Sequence, residues 1–147
     1  MVKYNKILVP VVDATNGKEA LDIACALAKP NNGLIYILNV ISVSRDKPLD
    51  SDMSENIKET EIILSELEEF CKKDGVDVRT ELLQAREVGS AIVEESVDKA
   101  VDLVLLSMNY KVRFGEFCFG NVMPYVMQHC PCPVLLFHNN LSAAIEE

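Results

Sequence analysis

Continuous apolar runs recur along this chain: KILVPVV at residues 6–12, LIYILNVISV at 34–43, LVLL at 103–106 and PVLLF at 133–137. A strand without polar alternation must be covered on both faces, the condition of a parallel sheet held between helices. Helical stripes separate the runs. Ala20, Leu21, Ala24, Leu27 and Ala28 mark a helix over 17–29, with Asn16 as its cap and Pro30 as its stop. Ile57, Ile63, Leu64, Leu67, Phe70 and Cys71 share one face of a longer helix over 52–73, which Gly75 ends. Ser90 is the expected cap of a third helix reaching about residue 101, and residues 121–130 form a short fourth. Residues 76–83 alternate instead. Val76, Val78, Thr80 and Leu82 face one way and Asp77, Arg79 and Glu81 the other, as on an edge strand guarded against wrong pairing.

This alternation predicts the α/β class: a single doubly wound five-stranded parallel sheet with four helices, occupying residues 1–140 ahead of a loose tail at 141–147. A net charge of −9 argues against a nucleic-acid binder, which needs clustered Lys and Arg. No apolar run approaches the ~20 residues of a membrane span, and the first residues lack the pattern of a signal peptide. A cytoplasmic location follows as the expectation. The five cysteines, odd in number, read as reduced thiols.

Ligands of such sheets sit beyond the carboxyl ends of the strands, at the switch point. That rule gathers Asp13, Val40 and the loop from Ser107 to Gly120 around one crevice. In LVLLSMNYKVRFGEFCFGNVMPYVMQHCPCPVLLF, residues 103–137, a strand leads through a loop to a helix N-terminus at Gly120, Asn121 and Val122. Free backbone N–H groups and the helix dipole favour anions there.

Three segments carry a resemblance: KILVPVVDATNGKEAL at 6–21, VGSAIVEESVDKAVDLVLLS at 88–107 and GNVMPYVMQHCPCPVLLF at 120–137. Over essentially its whole length the chain resembles the universal stress protein family. The resemblance implies an adenine-nucleotide alpha hydrolase-like sheet of order 3-2-1-4-5. It also implies a homodimer paired through residues 133–137. Nucleotide-binding members carry a glycine, two residues, a second glycine, nine residues, then a glycine before Ser or Thr. Here Ser107 and Tyr110 occupy the first two glycine positions, Gly120 keeps the third and Asn121 follows it. The family's aspartate after the first-strand proline corresponds to Val12, with Asp13 one place later. Glycines in phosphate loops supply positive φ and close backbone approach, and a forced left-handed residue costs roughly 1–2 kcal/mol. The resemblance thus implies a variant that does not bind ATP through the usual motif.

Other constellations are weaker. Tyr110, Phe114, Phe117 and Phe119 crowd the 108–119 loop, as a cover for the sheet end or as a surface for a protein partner. In His129-Cys130-Pro131-Cys132 a second ligand cluster for zinc is missing, and redox dithiols usually space as Cys-x-x-Cys. Packing is the expected role of these cysteines. Glu66, Glu68 and Glu69 read as the wet face of the long helix and Asp102 as a turn residue. No catalytic or metal-binding spacing is present. The expected function is a cytoplasmic, dimeric stress-response module that is not an enzyme and needs no cofactor. The alternatives are an ATP or AMP sensor with a degenerate phosphate loop, and a binder of another small anionic metabolite.

Overall fold

The computed structural model describes residues 3–11, 14–48, 52–108, 111–113, 116–118 and 122–138. Its elements follow in the order β1 (Lys6–Pro10), α1 (Ala14–Ala28), β2 (Leu34–Ser42), α2 (Ser54–Lys73), β3 (Asp77–Ala85), α3 (Val88–Asp98), β4 (Leu103–Met108), β5 (Lys111–Arg113), β6 (Glu116–Cys118), α4 (Val122–His129) and β7 (Val134–His138). Five strands form one parallel sheet of order β3-β2-β1-β4-β7. This is the expected 3-2-1-4-5 topology, with the alternating strand β3 at one edge and the last strand at the other.

The apolar runs are buried on both sides because successive side chains enter opposite layers. Ile7, Val9, Ile35, Ile37, Leu103 and Leu105 meet Leu21, Ala24 and Cys25 of α1 and Leu64, Leu67 and Cys71 of α2. Leu8, Tyr36, Leu38, Val104 and Leu106 meet Ile92 of α3 and Val126 of α4 on the other face. The two helix pairs therefore cover the two faces, as a right-handed doubly wound chain requires.

Asp102 does more than turn the chain. Its Oδ2 accepts from the backbone N–H groups of Asn5 (2.8 Å) and Lys6 (2.9 Å), while its own N–H donates to the Lys6 carbonyl (2.8 Å). This clasp fixes β4 beside β1, where the strand pairing itself runs only through Ile7–Leu103 and Leu8–Val104.

Several local expectations are corrected. Helix α1 begins at Ala14, so Asn16 lies inside it rather than at its cap. Glu87, with extended backbone at φ −129° and ψ 123°, precedes α3 and leaves Ser90 within the helix. Capping preference is worth only about 1 kcal/mol, and packing of the helix on the sheet overrides it. The 108–119 segment is not all loop, since β5 and β6 pair antiparallel, Val112 opposite Phe117. The remainder of that segment, including Tyr110, Phe114 and Phe119, lies outside the described residues, as does the tail at 141–147.

One buried carboxylate stands apart. Glu95 of α3 is 8% exposed, and its Oε2 has no hydrogen-bond partner among the described residues. Burial first, then the neighbouring Glu81 of β3, push its carboxyl up to about 7. Lys99 partly offsets this, its Nζ lying 3.5 Å from Glu81 Oε2 and 5.9 Å from the centre of the Tyr36 ring.

Candidate functional site

A cavity of about 470 Å³ opens beyond the carboxyl ends of β1, β2 and β4. Its size falls within the roughly 300–1,000 Å³ of small-molecule sites. The sheet order creates it: β2 and β4 flank β1, and their connections leave towards opposite faces at this end. Pro10 and Val11 form one part of the wall, and the run Leu38 to Ser42 of β2 forms the next. Leu106 and Ser107 close β4's side. From one helical layer come Asn56, Glu59 and Thr60 of α2, and from the other Val88, Ile92, Val122 and Met123.

Polar groups are few and held in place. Asn39 is buried, and its Nδ2 donates to the Val11 carbonyl at 2.8 Å, while Val11 N–H donates to the Leu38 carbonyl at 2.8 Å. These bonds fix the exit of β1 against β2 and shape the rim. Thr60, also buried, occupies the helical turn between Ile57 and Leu64. Among the described lining residues there is no Lys or Arg, and Glu59 is the charged group. An adjoining groove shares Val88 and Val122 with the cavity and is lined by Arg86, whose Nη1 donates to the Ser44 carbonyl.

Val40, Ser107 and Val122 thus line one cavity. Asp13, Gly120 and Asn121 lie outside the described residues, as does Val12. Asn39, Asn56, Glu59 and Thr60 were not anticipated as site residues. The available signal was polarity in the wrong place: Asn39 interrupts an apolar strand, and Thr60 sits on the apolar face of its helix.

The universal stress protein family profile matches residues 3–138. The chain belongs to the universal stress protein family. A universal stress protein of Methanocaldococcus jannaschii is 27% identical over 139 residues, covering 90% of this chain and 81% of its own. A universal stress protein of Archaeoglobus fulgidus, solved in complex with dAMP, superposes with a TM-score of 0.72 at 18% identity, covering 92% of this chain and 98% of that one. Another universal stress protein, solved in complex with cAMP, gives 0.67 at 19% identity, over 93% of this chain and 98% of that one. At such identities the structural likeness establishes the shared fold. No helix among the described residues is long and apolar enough to cross a membrane.

Proposed function

We propose that this universal stress protein is a cytoplasmic regulatory module, not an enzyme, whose cavity takes a nucleoside or nucleoside monophosphate rather than Mg-ATP through the family's glycine loop. The observation that carries this reading is the cavity of about 470 Å³ with apolar walls, a few neutral polar groups, the carboxylate Glu59 and no Lys or Arg among its described lining residues. A triphosphate brings several negative charges, which need cations or dense N–H donors in a site of low dielectric. A base and ribose need apolar walls and a few fixed donors and acceptors, which Asn39, Thr60 and Ser107 supply. One phosphate could be met by Arg86 at the adjoining groove and by the helix N-terminus that begins α4. Relatives of this fold solved with dAMP and with cAMP support the ligand class.

The test is a set of melting curves with adenosine, AMP, cAMP and Mg-ATP, joined to analysis of material released on denaturation. AMP or adenosine at 100-fold above its dissociation constant adds about 2.7 kcal/mol, a rise of several degrees for a chain of this size. Val40→Phe, placed on the cavity wall, should remove that rise. Mg-ATP stabilising more strongly than AMP, or no response to any of the four, defeats the proposal.

The module is further proposed to be a homodimer through residues 133–137. Strand β7 is an edge, and Leu135 and Leu136 are 41% and 39% exposed on it. Pairing two such edges across a two-fold axis covers apolar surface and blocks further strand addition. Sedimentation at micromolar concentration should give a dimer, and Leu135→Lys a monomer; a monomeric parent chain refutes the pairing.

A further inference from the structure

The turn between α4 and β7 brings two thiols together. Cys130 Sγ and Cys132 Sγ lie 3.5 Å apart, in contact across Pro131. The turn is pinned at both ends: Cys130 N–H donates to the Val126 carbonyl at 2.9 Å, and the Pro133 carbonyl accepts from Val104 N–H at 3.0 Å. Proline at the middle position fixes one backbone angle, which limits the backbone freedom between the two cysteines. Both cysteines are half-buried rather than enclosed. Cys25 and Cys71 offer the internal contrast, at 2% and 0% exposure in the α1–α2 layer.

We propose that Cys130 and Cys132 are an oxidisable dithiol, which a hydroperoxide such as hydrogen peroxide converts to an intrachain disulfide. A disulfide is about 2.05 Å long, so the sulfurs need to close only the remaining gap through side-chain rotation. Their roles divide. Burial first, then the Cys130 neighbour, push the Cys132 thiol up to about 12, which disfavours its thiolate, so the first attack is assigned to Cys130. The Cys130 thiolate, having given its proton to solvent, displaces hydroxide from the peroxide O–O bond and becomes a sulfenic acid. The hydroxide takes up a proton as water. Cys132 sulfur then attacks Cys130 sulfur and the S–O bond breaks. The proton of Cys132 leaves with the hydroxyl as a second water. Two thiols and one hydrogen peroxide thus yield one disulfide and two waters, with two electrons passing from the pair to the peroxide. Partly exposed bridges of this kind are the labile, regulatory ones. Closure also withdraws Cys130 Sγ from Ser96 Oγ of α3, to which it lies at 3.6 Å.

The experiment treats the native full-length chain with hydrogen peroxide, blocks remaining thiols with an alkylating agent in denaturant and maps peptides by mass. Chymotrypsin is the useful protease, because cleavage after Tyr125 separates the pair from Cys118. The expected product is the peptide holding both cysteines, unalkylated and two hydrogens lighter, restored to two alkylated thiols by prior dithiothreitol. It should form at least about tenfold faster than any oxidation of Cys25 or Cys71, as access dictates. Cys132→Ser should leave a sulfenic acid on Cys130 that dimedone captures, a signature that mere packing would not give. The proposal is overturned if both thiols alkylate fully after peroxide. Bridges formed only to Cys118 or only between chains overturn it equally, as does oxidation straight to sulfinic acid.

Discussion

Leu67→Ala is expected to lower the unfolding free energy by about 3–4 kcal/mol, and the melting midpoint by about 10 °C for a chain of this size. Leu67 is fully buried in the layer between α1, α2 and the sheet. Its methyl groups lie over Gly17, where an added Cβ would sit 2.9 Å from Cδ1 and 3.2 Å from Cδ2. Truncation there leaves a hole facing bare backbone, which cannot relax into it, and the cost falls in the upper part of the usual range. The same geometry predicts coupling. Gly17→Ala alone crowds Leu67, whereas on the Leu67→Ala background its methyl group refills part of the hole and recovers stability. Chemical denaturation of the four proteins checks this cycle. Additive losses, or a Leu67→Ala effect below about 1 kcal/mol, contradict the packing.

The second large effect is a pH dependence removed by Glu95→Gln. The folded chain holds the Glu95 proton up to about 7, against an ordinary value of 4.5. Between those values the unfolded chain has released a proton that the folded chain keeps. Stability therefore falls as pH rises through this window, and the loss is complete above it. Each unit is worth about 1.4 kcal/mol, so the whole shift amounts to roughly 3 kcal/mol, of which about 2 kcal/mol is lost between about pH 5 and about pH 8. Glutamine removes the titration while giving Glu81 an amide donor. Denaturation at about pH 5 and about pH 8 should show the parent losing more stability than the variant as pH rises. Parallel losses in both proteins would mean that Glu95 ionises freely in the fold.

The strands are legible because the runs at 6–12, 34–43, 103–106 and 133–137 are almost wholly apolar, short and bounded by polar or turn residues, as strands of a doubly covered sheet are. Thr60 shows what was harder. In the sequence it is a gap in a helix stripe, and it gains meaning only when α2 is laid over the strand ends beside Asn39, about 20 residues earlier in the chain. Helix starts misled for a different reason. Asn16 and Ser90 are good caps, but each lies where the sheet needs helical backbone, and tertiary packing outweighs a local hydrogen bond. The pair β5 and β6 left no signal, since strands of three residues are too short to show a period. In the cysteine turn the Cys-x-Cys spacing says little by itself, because sulfur contact depends on how the chain bends at Pro131.

The clasp at Asp102 also bears on how the chain is made. Strand β1 is synthesised first and acquires β2 early, but its other neighbour, β4, begins about 60 residues after β2 ends. At ~5–20 residues per second, the far side of β1 stays without its partner for roughly 3–12 s of synthesis. Asp102 emerges immediately ahead of β4, so the two N–H groups at Asn5 and Lys6 gain their acceptor as the missing strand arrives. A ribosome pausing between α2 and β4 would hold out an apolar edge for that whole interval, which makes this stretch of translation the one in which the nascent chain most needs shelter from its neighbours.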